Sequence, residues 1–303
     1  MNSSAVTDLK IRRNVSLSTY VTMQVGGRAN YFAEPQTQEE LSGILSWAHE
    51  EKLSFFILGK GSNVVFDDEG FSGVVISMLR FRSEDLRRQG NQVIAGAGVH
   101  LYRLAKYCGT QGLAGAEFFA NIPGTVGGAV YMNAGFSRIA GTSNETANVL
   151  KEIRILNEQG KEQILSREDL HFTYRKSKLP AKSFVVEATF EFREGDKDVI
   201  AAEMKANFDY RNSKQDLKFP SSGSIFKNPP APVPSAGKLI EKNGLKGRRI
   251  GGLQVSEKHA NYFINVGKGT CHDLQELMDE VQAVVFISDG IRLEPEVRII
   301  SYK

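Results

Sequence analysis

Fifteen residues near the middle of the chain combine several glycines with almost no charge, a composition that suits the binding of a phosphate group. Residues 121–135 read Asn-Ile-Pro-Gly-Thr-Val-Gly-Gly-Ala-Val-Tyr-Met-Asn-Ala-Gly. Pro123-Gly124 predicts a tight turn, and the missing side chains of Gly127 and Gly128 allow backbone N–H groups to approach a guest closely. A diphosphate is the commonest such guest. A loop whose glycines serve only turns explains the same residues equally well at this point.

A second glycine loop lies upstream, between two apolar segments. Phe55–Leu58 predicts a buried strand, residues 59–63 read Gly-Lys-Gly-Ser-Asn, and Val64–Phe66 predicts the next strand. The two glycines permit positive φ, while the serine and asparagine offer donors without fixed charge. The loop lacks the third glycine of the usual dinucleotide fingerprint and the Gly-Lys-Ser/Thr of a Walker loop. Two glycine loops together predict a long ligand that is held at two places.

Charged and apolar residues alternate near the end of the chain, where an acid or base could lie. Arg292–Ile300 predicts a strand with two faces, because successive side chains of a strand point in opposite directions. The charged face carries Arg292, Glu294, Glu296 and Arg298, and the other carries Leu293, Pro295, Val297 and Ile299. From the pattern alone, a solvated and salt-bridged face is the favoured interpretation.

Two further polar residues, Arg175 and Ser224, are ambiguous in the same way. Arg175 stands between Tyr174 and Ser177, where it is either a surface charge or a guanidinium held in place. Ser224 follows a glycine, a pair that ordinarily makes a turn. The chain has no Gly-x-Ser-x-Gly motif and its five histidines are scattered, so we exclude a hydrolase nucleophile.

Six motifs in order make the chain resemble the UDP-N-acetylenolpyruvoylglucosamine reductases, flavoenzymes that make UDP-N-acetylmuramate for bacterial peptidoglycan. The motifs are Leu58–Asn63, Gly115–Glu117 leading to Ile122–Ala129 and Met132–Gly135, Tyr174–Ser177, Gly223–Pro229, and Glu294–Arg298. The resemblance extends from about Asn14 to Ile300. The compact spacing from Ser224 to Glu296 resembles the shorter form of the family, which lacks an inserted substrate-covering segment.

This resemblance implies an α+β protein with an FAD-binding fold of the vanillyl-alcohol-oxidase/PCMH type. It implies FAD-binding subdomains at 1–80 and 81–205, and a substrate-binding domain at 206–303 whose last strand returns to the FAD site. FAD would be held non-covalently, since neither glycine loop contains a histidine or cysteine for attachment, and NADPH is the implied co-substrate. The implied cofactor-binding residues are Gly59, Lys60, Gly61, Ser62, Asn63, Asn121, Ile122, Pro123, Gly124, Thr125, Gly127, Gly128 and Ala129.

The resemblance also implies the roles of three residues. The substrate, UDP-N-acetylglucosamine enolpyruvate, is an enol ether whose terminal carbon accepts hydride when its carboxylate can accept charge. Arg175 would pair with this carboxylate and stabilise the enolate. Ser224 would protonate the adjacent carbon, and Glu296 would stabilise the intermediate or relay the proton, with Glu294 as the competing carboxylate. The implied substrate contacts are Lys227, Asn228, Arg298, Lys258, His259 and Asn261, of which Lys258 and His259 could equally be surface residues.

Two other classes of function remain open. A different FAD-dependent oxidase or dehydrogenase of the same fold would share both glycine loops. A cofactor-binding descendant without catalysis would keep the loops and lose a catalytic residue. Because Arg175, Ser224 and Glu296 are all present in their motifs, we favour the reductase over both alternatives.

The composition agrees with a small-molecule enzyme. With 303 residues and 41% hydrophobic content, the chain is long enough for more than one domain. The net charge of +3 gives no signature of nucleic-acid or membrane binding. The first residues, Met1–Asn14, are polar and no run approaches the ~20 apolar residues of a membrane span, so we expect a cytoplasmic chain. We also expect a monomer. Cys108 and Cys271 are too few for a disulfide framework or a cysteine zinc site.

Helices and strands must position these residues, and the periodicity predicts several of them. Helices are predicted after the cap Thr37, from Leu101, over Asp198–Tyr210, and after the cap Thr270. Strands are predicted at Gln92–Ala95, at Ile153–Leu156 with a turn to Gln163–Leu165, and at Phe184–Phe192, whose alternation indicates a half-buried strand. The stretch 218–237, rich in proline, glycine and serine, predicts a functional loop or a domain boundary.

Overall fold

The computed structural model describes residues 9–138, 142 and 144–302. Contacts between these residues divide the chain into two compact units. The first unit contains the chain up to Arg12, together with Phe32–Lys60 and Val74–Arg211, and the second contains Arg13–Tyr31, Gly61–Gly73 and the chain from Asn212 onwards. Each unit therefore joins segments that are distant in sequence. The division into three domains at 80/81 and 205/206 stays a prediction.

Helices occur together with runs of consecutive strands along the described residues, as expected for an α+β protein. The helices are α1 (Gln38–Glu50), α2 (Leu101–Thr110), α3 (Val126–Met132), α4 (Thr146–Val149), α5 (Lys197–Lys214), α6 (Ala236–Lys242) and α7 (Cys271–Asp289). The strands are β1 (Arg12–Ser16), β2 (Arg28–Ala33), β3 (Phe55–Leu58), β4 (Val64–Phe66), β5 (Phe71–Ser77), β6 (Leu86–Gln89), β7 (Gln92–Gly96), β8 (Leu113–Ala114), β9 (Leu150–Asn157), β10 (Glu162–Ser166), β11 (Ser183–Glu191), β12 (Arg193–Glu194), β13 (Ser221–Ser224), β14 (Arg249–Ile250), β15 (Leu253–Val255), β16 (Tyr262–Asn265) and β17 (Arg298–Ile300).

A five-stranded antiparallel sheet is the largest sheet of the first unit. Its strand order is β10-β9-β11-β7-β6, so β11 lies in the centre. The predicted hairpin of β9 and β10 is confirmed, with Leu156 opposite Glu162. In the same unit, β3 pairs in parallel with β5 from Phe55 opposite Val74 to Leu58 opposite Ser77. This pairing fixes the end of β3, where the first residues of the 59–63 loop begin.

The central strand β11 is buried on both faces, so the prediction of a half-buried strand is wrong. Phe184 and Phe190 are buried as expected, but Val185, Glu187 and Thr189 on the opposite face are buried as well. The carboxylate of Glu187 forms ion pairs with three arginines, Arg82, Arg87 and Arg154. A charge with three partners can occupy an interior position that its residue type alone would assign to solvent.

The helix caps read from the sequence are confirmed where α1 and α7 begin. The hydroxyl of Thr37 accepts a hydrogen bond from the backbone N–H of Glu40. At α7, Thr270 and Asp273 form the reciprocal capping box, and Asp68 accepts the N–H groups of the first two helical residues. Each such cap contributes about 1 kcal/mol by satisfying N–H groups that have no partner inside the helix.

The second unit is built around a small antiparallel sheet of strand order β13-β16-β15-β14. Helix α7 covers its core with Leu274, Leu277, Met278, Val281 and Val285, which are all buried. Ile225 and Phe226, the residues directly after β13, belong to the same core. The segment that carries Ser224 is therefore anchored by buried apolar side chains, each worth about 1.5–3 kcal/mol when fully buried.

The predicted strand from Arg292 to Ile300 is wrong over most of its length. Only Arg298–Ile300 forms a strand, β17, which pairs in parallel with β4. Upstream of it, Pro295 makes an isolated bridge with Phe226. Proline has no N–H to donate to a ladder, so the residues around it cannot continue a regular strand. Leu293 and Val297 are buried as predicted, whereas Pro295 is exposed.

Candidate active site

Two buried polar side chains in the glycine segment 121–135 lack partners among the described residues. Both amide atoms of Asn121 and the hydroxyl of Thr125 are in this state, with exposed fractions of 3% and 1%. A buried polar group without a partner costs roughly 1–3 kcal/mol, so such groups are ordinarily satisfied by a ligand or water. Asn121 and Thr125 therefore fit a polar ligand in contact with this segment.

Glycines surround the unpartnered hydroxyl of Thr125. A β-carbon added to Gly59 would lie 3.0 Å from Thr125 Oγ1 and 4.0 Å from Gly128 Cα. Gly59 at the end of β3 and Gly128 in α3 thus leave open the space that two side chains would fill. The donors, the acceptors and the bare backbone together match what a diphosphate requires.

The segment is nevertheless less open than the sequence led us to expect. Gly127 and Gly128 lie in the first turn of helix α3 and not in a loop. The N–H groups of Val126 and Gly127 donate to the carbonyls of Val99 and Ala97, at 2.9 Å each. These two amides are used by the protein, so the expected convergence of backbone amides is limited to other positions. The side chain of Asn121 supplies polar atoms in their stead.

Lys60 is the cation of the 59–63 loop, and it lies in the first unit with His100. Burial lowers the pKa of His100, and the nearby charges of Lys60 and Arg103 lower it further. The imidazole is therefore neutral near pH 7, which leaves Lys60 as a positive charge in this region. A cation beside the glycine segment is favourable for a bound diphosphate.

The rest of this loop belongs to the second unit, where it is tied to the chain around Glu296. Gly61 has φ +68°, a conformation that glycine adopts without strain. The side chain of Asn63 donates to the carbonyl oxygen of Glu296 at 3.0 Å, and the N–H of Arg298 donates to the carbonyl oxygen of Asn63, also at 3.0 Å. Asn63, which we expected only at the cofactor, thus also holds the backbone of a predicted catalytic residue.

Ser224 and the backbone of Glu296 come together in the second unit. Ser224 ends β13 opposite Tyr262 of β16, next to an irregularity in the pairing. The N–H of Glu296 donates to the carbonyl oxygen of Ile225, the residue after Ser224, at 2.7 Å. Both side chains are partly exposed, as a substrate-facing group must be.

Glu294, the competing carboxylate, has a different environment. Its side chain is 69% exposed and forms an ion pair with the ammonium of Lys227. The backbone N–H of Lys227 also donates to the Glu294 carbonyl oxygen, at 2.8 Å. Surface pairs of this kind contribute little, and the Glu294 side chain stays in contact with solvent. Glu294 and Glu296 therefore do not share one strand face.

Arg175 lies in the first unit at the tip of a tight turn. Thr173 and Lys176 close the turn with two backbone hydrogen bonds, of 3.0 and 3.1 Å. Arg175 has φ +58°, a left-handed conformation that is uncommon for a residue with a long side chain. Its guanidinium lies 4.7 Å from the ring centroid of Tyr174 and 3.8 Å from a carboxylate oxygen of Glu145. Such strain is often found at functional sites, where the surrounding structure maintains it.

Several of the residues expected to contact a nucleotide sugar already form hydrogen bonds within the protein. Asn261 is 2% exposed, and its side-chain amide bonds both the N–H and the carbonyl oxygen of Phe226, at 3.0 and 2.8 Å. Both polar atoms of its amide hold the segment after Ser224, so we revise its expected role. Asn228 accepts from the N–H of Ala236, and Lys258 donates to the carbonyl oxygen of Asn212. Burial lowers the pKa of His259, which is therefore neutral near pH 7.

The sequence pattern did not reveal Asn133 and Glu145, which lie near Arg175. Asn133 is buried with φ +43°, and asparagine directly after a short helix is a signal for a left-handed cap.

Across the part of the chain that the structure describes, acidic, histidine and cysteine side chains form no group able to hold a metal ion. In the same residues we find no helix with the length and apolar character of a membrane span.

Comparison with known proteins bears directly on this site. Residues 215–300 match the family model described as the UDP-N-acetylenolpyruvoylglucosamine reductase C-terminal domain. Residues 29–166, which include both glycine loops, match the model described as an FAD binding domain. The FAD-binding range thus contains Asn121 and Thr125, and the C-terminal range contains Ser224 and Glu296.

Individual proteins match over almost the full length. The UDP-N-acetylenolpyruvoylglucosamine reductase of Anoxybacillus flavithermus is 38% identical over 97% of this chain and 95% of its own length. That of Listeria innocua is 39% identical over 96% of this chain and 95% of its own. Among solved structures, the reductase of the same name from Thermus caldophilus superposes with a TM-score of 0.81 at 32% identity, and covers 96% of this chain and 99% of that one.

Proposed function

Since this chain belongs to the UDP-N-acetylenolpyruvoylglucosamine reductase family, we propose that it reduces UDP-N-acetylglucosamine enolpyruvate to UDP-N-acetylmuramate, with NADPH as the electron donor. It is an FAD-dependent oxidoreductase, and its reaction serves the synthesis of peptidoglycan precursors. The observation that carries the cofactor assignment is the pair of buried residues Asn121 and Thr125, whose polar atoms have no partner among the described residues. Cytoplasmic localisation and a monomeric state stay predictions.

Bound FAD supplies the hydride, and the protein holds its diphosphate. We assign the contacts to Asn121 and Thr125, to the bare backbone at Gly59 and Gly128, and to the positive charge of Lys60. The wider proposed set keeps Gly61, Ser62, Asn63, Ile122, Pro123, Gly124, Gly127 and Ala129 as neighbours of the cofactor. No covalent link is required, because polar contacts and charge suffice for a diphosphate.

Arg175 would pair with the substrate carboxylate. Hydride addition to the enol ether places charge on that carboxylate, and a fixed guanidinium stabilises the charge as it develops. A preorganised group of this kind is worth about 2.7–4 kcal/mol, judged from the loss of one donor in other enzymes. The left-handed backbone at Arg175 and the ring of Tyr174 support a guanidinium that is held in place before substrate binds.

Ser224 would donate the proton to the carbon next to the reduced one. A serine is a weak acid, but the enolate carbon is strongly basic, and a positioned hydroxyl can therefore serve. Glu296 would stabilise the intermediate or relay the proton, and its backbone is bonded to the residue after Ser224. Glu294 is the poorer candidate, because it is exposed and paired with Lys227.

For the nucleotide end of the substrate we propose Lys227, Asn228, Arg298, Lys258 and His259. Their cationic and amide groups suit a diphosphate and a sugar. The ammonium of Lys258 already contacts a backbone carbonyl in the second unit, so substrate would have to replace that contact. Asn261 is left out of this set, because both ends of its amide bind Phe226.

An anaerobic absorbance experiment tests the proposal. The flavin of the purified protein is reduced with NADPH, and UDP-N-acetylglucosamine enolpyruvate is then added. We expect prompt return of the oxidised spectrum with the wild type. With Ser224→Ala we expect NADPH to reduce the flavin at the normal rate and the substrate to reoxidise it about 100-fold more slowly or worse. Ser221→Ala, in the same strand, is the matched control and should behave as the wild type.

Two results would contradict the proposal in different ways. If only oxygen restores the oxidised spectrum, the chain is an oxidase or a reductase for another acceptor. If Ser224→Ala slows both half-reactions equally, the serine is not the proton donor.

A further inference from the structure

One polar residue outside the proposed set is placed to control Arg175. Asn133 is 1% exposed and follows helix α3 in a left-handed conformation, with φ +43° and ψ +53°. Asparagine tolerates this conformation better than most residues with a side chain. Its side chain makes three hydrogen bonds, which use both of its N–H donors and its acceptor oxygen.

Two of the three hydrogen bonds of Asn133 go to groups next to Arg175, and the third goes to Ala147. Nδ2 donates to Glu145 Oε2 at 2.9 Å and to the carbonyl oxygen of Thr173 at 3.1 Å. Oδ1 accepts from the N–H of Ala147 at 3.0 Å, which fixes the amide orientation. Because Nδ2 holds one oxygen of the Glu145 carboxylate, the other oxygen, Oε1, is the one that lies 3.8 Å from the guanidinium of Arg175.

The carbonyl oxygen of Thr173 belongs to the turn that carries Arg175. The same oxygen accepts from the N–H of Lys176 at 3.1 Å, the bond that closes the turn. On the far side of the turn, the hydroxyl of Ser177 donates to the carbonyl oxygen of Tyr131 at 2.9 Å. The turn is therefore tied at both ends to the last residues of α3 and its cap.

Helix α3 connects the proposed cofactor site with the residues that hold the Arg175 turn. It begins directly after Thr125 in the proposed diphosphate site and ends directly before Asn133. Seven helical residues span about 10 Å at 1.5 Å per residue. One rigid element thus separates a cofactor contact from the residue that ties the Arg175 turn, and the Arg175 backbone is strained unless something holds it.

From these contacts we propose that Asn133 is a positioning residue for Arg175. It fixes the turn through Thr173 and orients Glu145, whose carboxylate lies 3.8 Å from the guanidinium and favours its position by charge. The inference rests on the proposed function, because it assigns Arg175 to the substrate carboxylate. Asn133 itself touches neither substrate nor cofactor in this scheme.

Asn133→Asp is the sharpest test. Aspartate keeps the size, the tolerance of a left-handed backbone and the acceptor for Ala147, but it loses both donors and places a negative charge against Glu145. Displacement of a reacting group by about 1 Å can cost about 100-fold in rate. We therefore expect substrate to reoxidise the flavin about 10- to 100-fold more slowly, while reduction by NADPH and the flavin content stay within about twofold of the wild type.

Two further variants separate positioning from folding. Asn157→Asp makes the same charge change in the same unit, where the side chain serves as an acceptor for the N–H groups of Gln159 and Lys161, and both half-reactions should be unaffected. Adding Glu145→Gln to Asn133→Asp restores an amide and a carboxylate that can bond each other, with the charge of the wild-type pair. This double variant should regain part of the lost rate. If Asn133→Asp does not fold, Asn133→Gly keeps the backbone conformation and should show the same selective loss.

The outcomes distinguish the inference from the function beneath it. If substrate does not reoxidise the wild-type flavin, the proposed function fails first. If it does so in the wild type and at an equal rate in Asn133→Asp, the inference is overturned and the function stands. Equal slowing of both half-reactions, together with a lower melting temperature, would mean that Asn133 only supports the fold, and would also overturn the inference.

Discussion

Gly61→Ala should destabilise the protein more than the loss of a left-handed glycine alone requires. Gly61 has φ +68°, a conformation that costs an L-residue about 1–2 kcal/mol. An added β-carbon would lie 2.3 Å from the carbonyl oxygen of Tyr20 and 2.8 Å from Val21 Cα. Both are backbone atoms, so the main chain must move, which typically costs about 1–3 kcal/mol more. We expect a loss of about 2–5 kcal/mol in the free energy of unfolding.

Gly244→Ala is the matched control in the same unit. Gly244 has φ +69°, and a β-carbon there would meet no described atom within 4 Å. This variant should lose only the conformational part, about 1–2 kcal/mol. Urea unfolding of both variants and the wild type, all without FAD and monitored by circular dichroism, measures the difference in the free energy of unfolding. Equal losses in the two variants would refute the reasoning, since the steric part would then be absent.

The same substitution should also affect catalysis. The N–H of Thr22 donates to the Gly61 carbonyl oxygen at 2.9 Å, and the Thr22 hydroxyl donates to the carbonyl oxygen of Ser221 at 2.7 Å. A shift at Gly61 is thereby passed to β13, which carries Ser224. We expect Gly61→Ala, but not Gly244→Ala, to slow reoxidation of the flavin by substrate. Unchanged reoxidation in both variants would argue against this coupling.

Two further predictions concern the cofactor and the cysteines. Thr125→Val removes the buried unpartnered hydroxyl and keeps the shape, so added FAD should raise the melting temperature of the variant less than that of the wild type; an equal rise would contradict the contact. Burial raises the pKa of Cys108 and of Cys271 to about 12, whereas an unfolded thiol releases its proton near pH 9.0. The folded state therefore retains more protons, and stability should be intact below about pH 9 and fall as the pH rises towards 12. Replacing both cysteines with alanine should flatten this slope of the urea midpoint against pH, and an unchanged slope would show that other groups cause it.

Local signals in the sequence predicted most of the helices of the described residues. The caps at Thr37 and Thr270 depend on hydrogen bonds within three or four residues, and such contacts leave a direct trace in the sequence. The hairpin of β9 and β10 was predictable for the same reason. Both glycine loops lie within the range that matches an FAD binding domain, and their contacts with the cofactor stay a prediction.

Long-range contacts decided the features that the sequence did not reveal. Glu187 had the appearance of a solvent-facing residue, and only the ion pairs with three arginines make its burial tolerable, of which Arg87 and Arg154 come from other strands and Arg82 from the turn before β6. The end of the chain alternates like a strand, but the bridge from Pro295 to Phe226 and the tie from Asn63 to Glu296 set its path. Gly127 and Gly128 were expected in a loop and lie in a helix, because packing outweighs the low helical propensity of glycine.

The backbone of Glu296 is fastened on both sides, and this has a consequence for enzyme redesign. Its N–H is bound by the Ile225 carbonyl oxygen and its carbonyl oxygen by the Asn63 side chain, so the main chain there does not depend on what the Glu296 side chain does. We therefore expect the main chain to keep its path when side chains of other lengths are exchanged at this position. Glu296→Asp would then withdraw the carboxyl group by one methylene and leave the rest of the site in place. A position with this property is a natural starting point for directed changes of acceptor specificity.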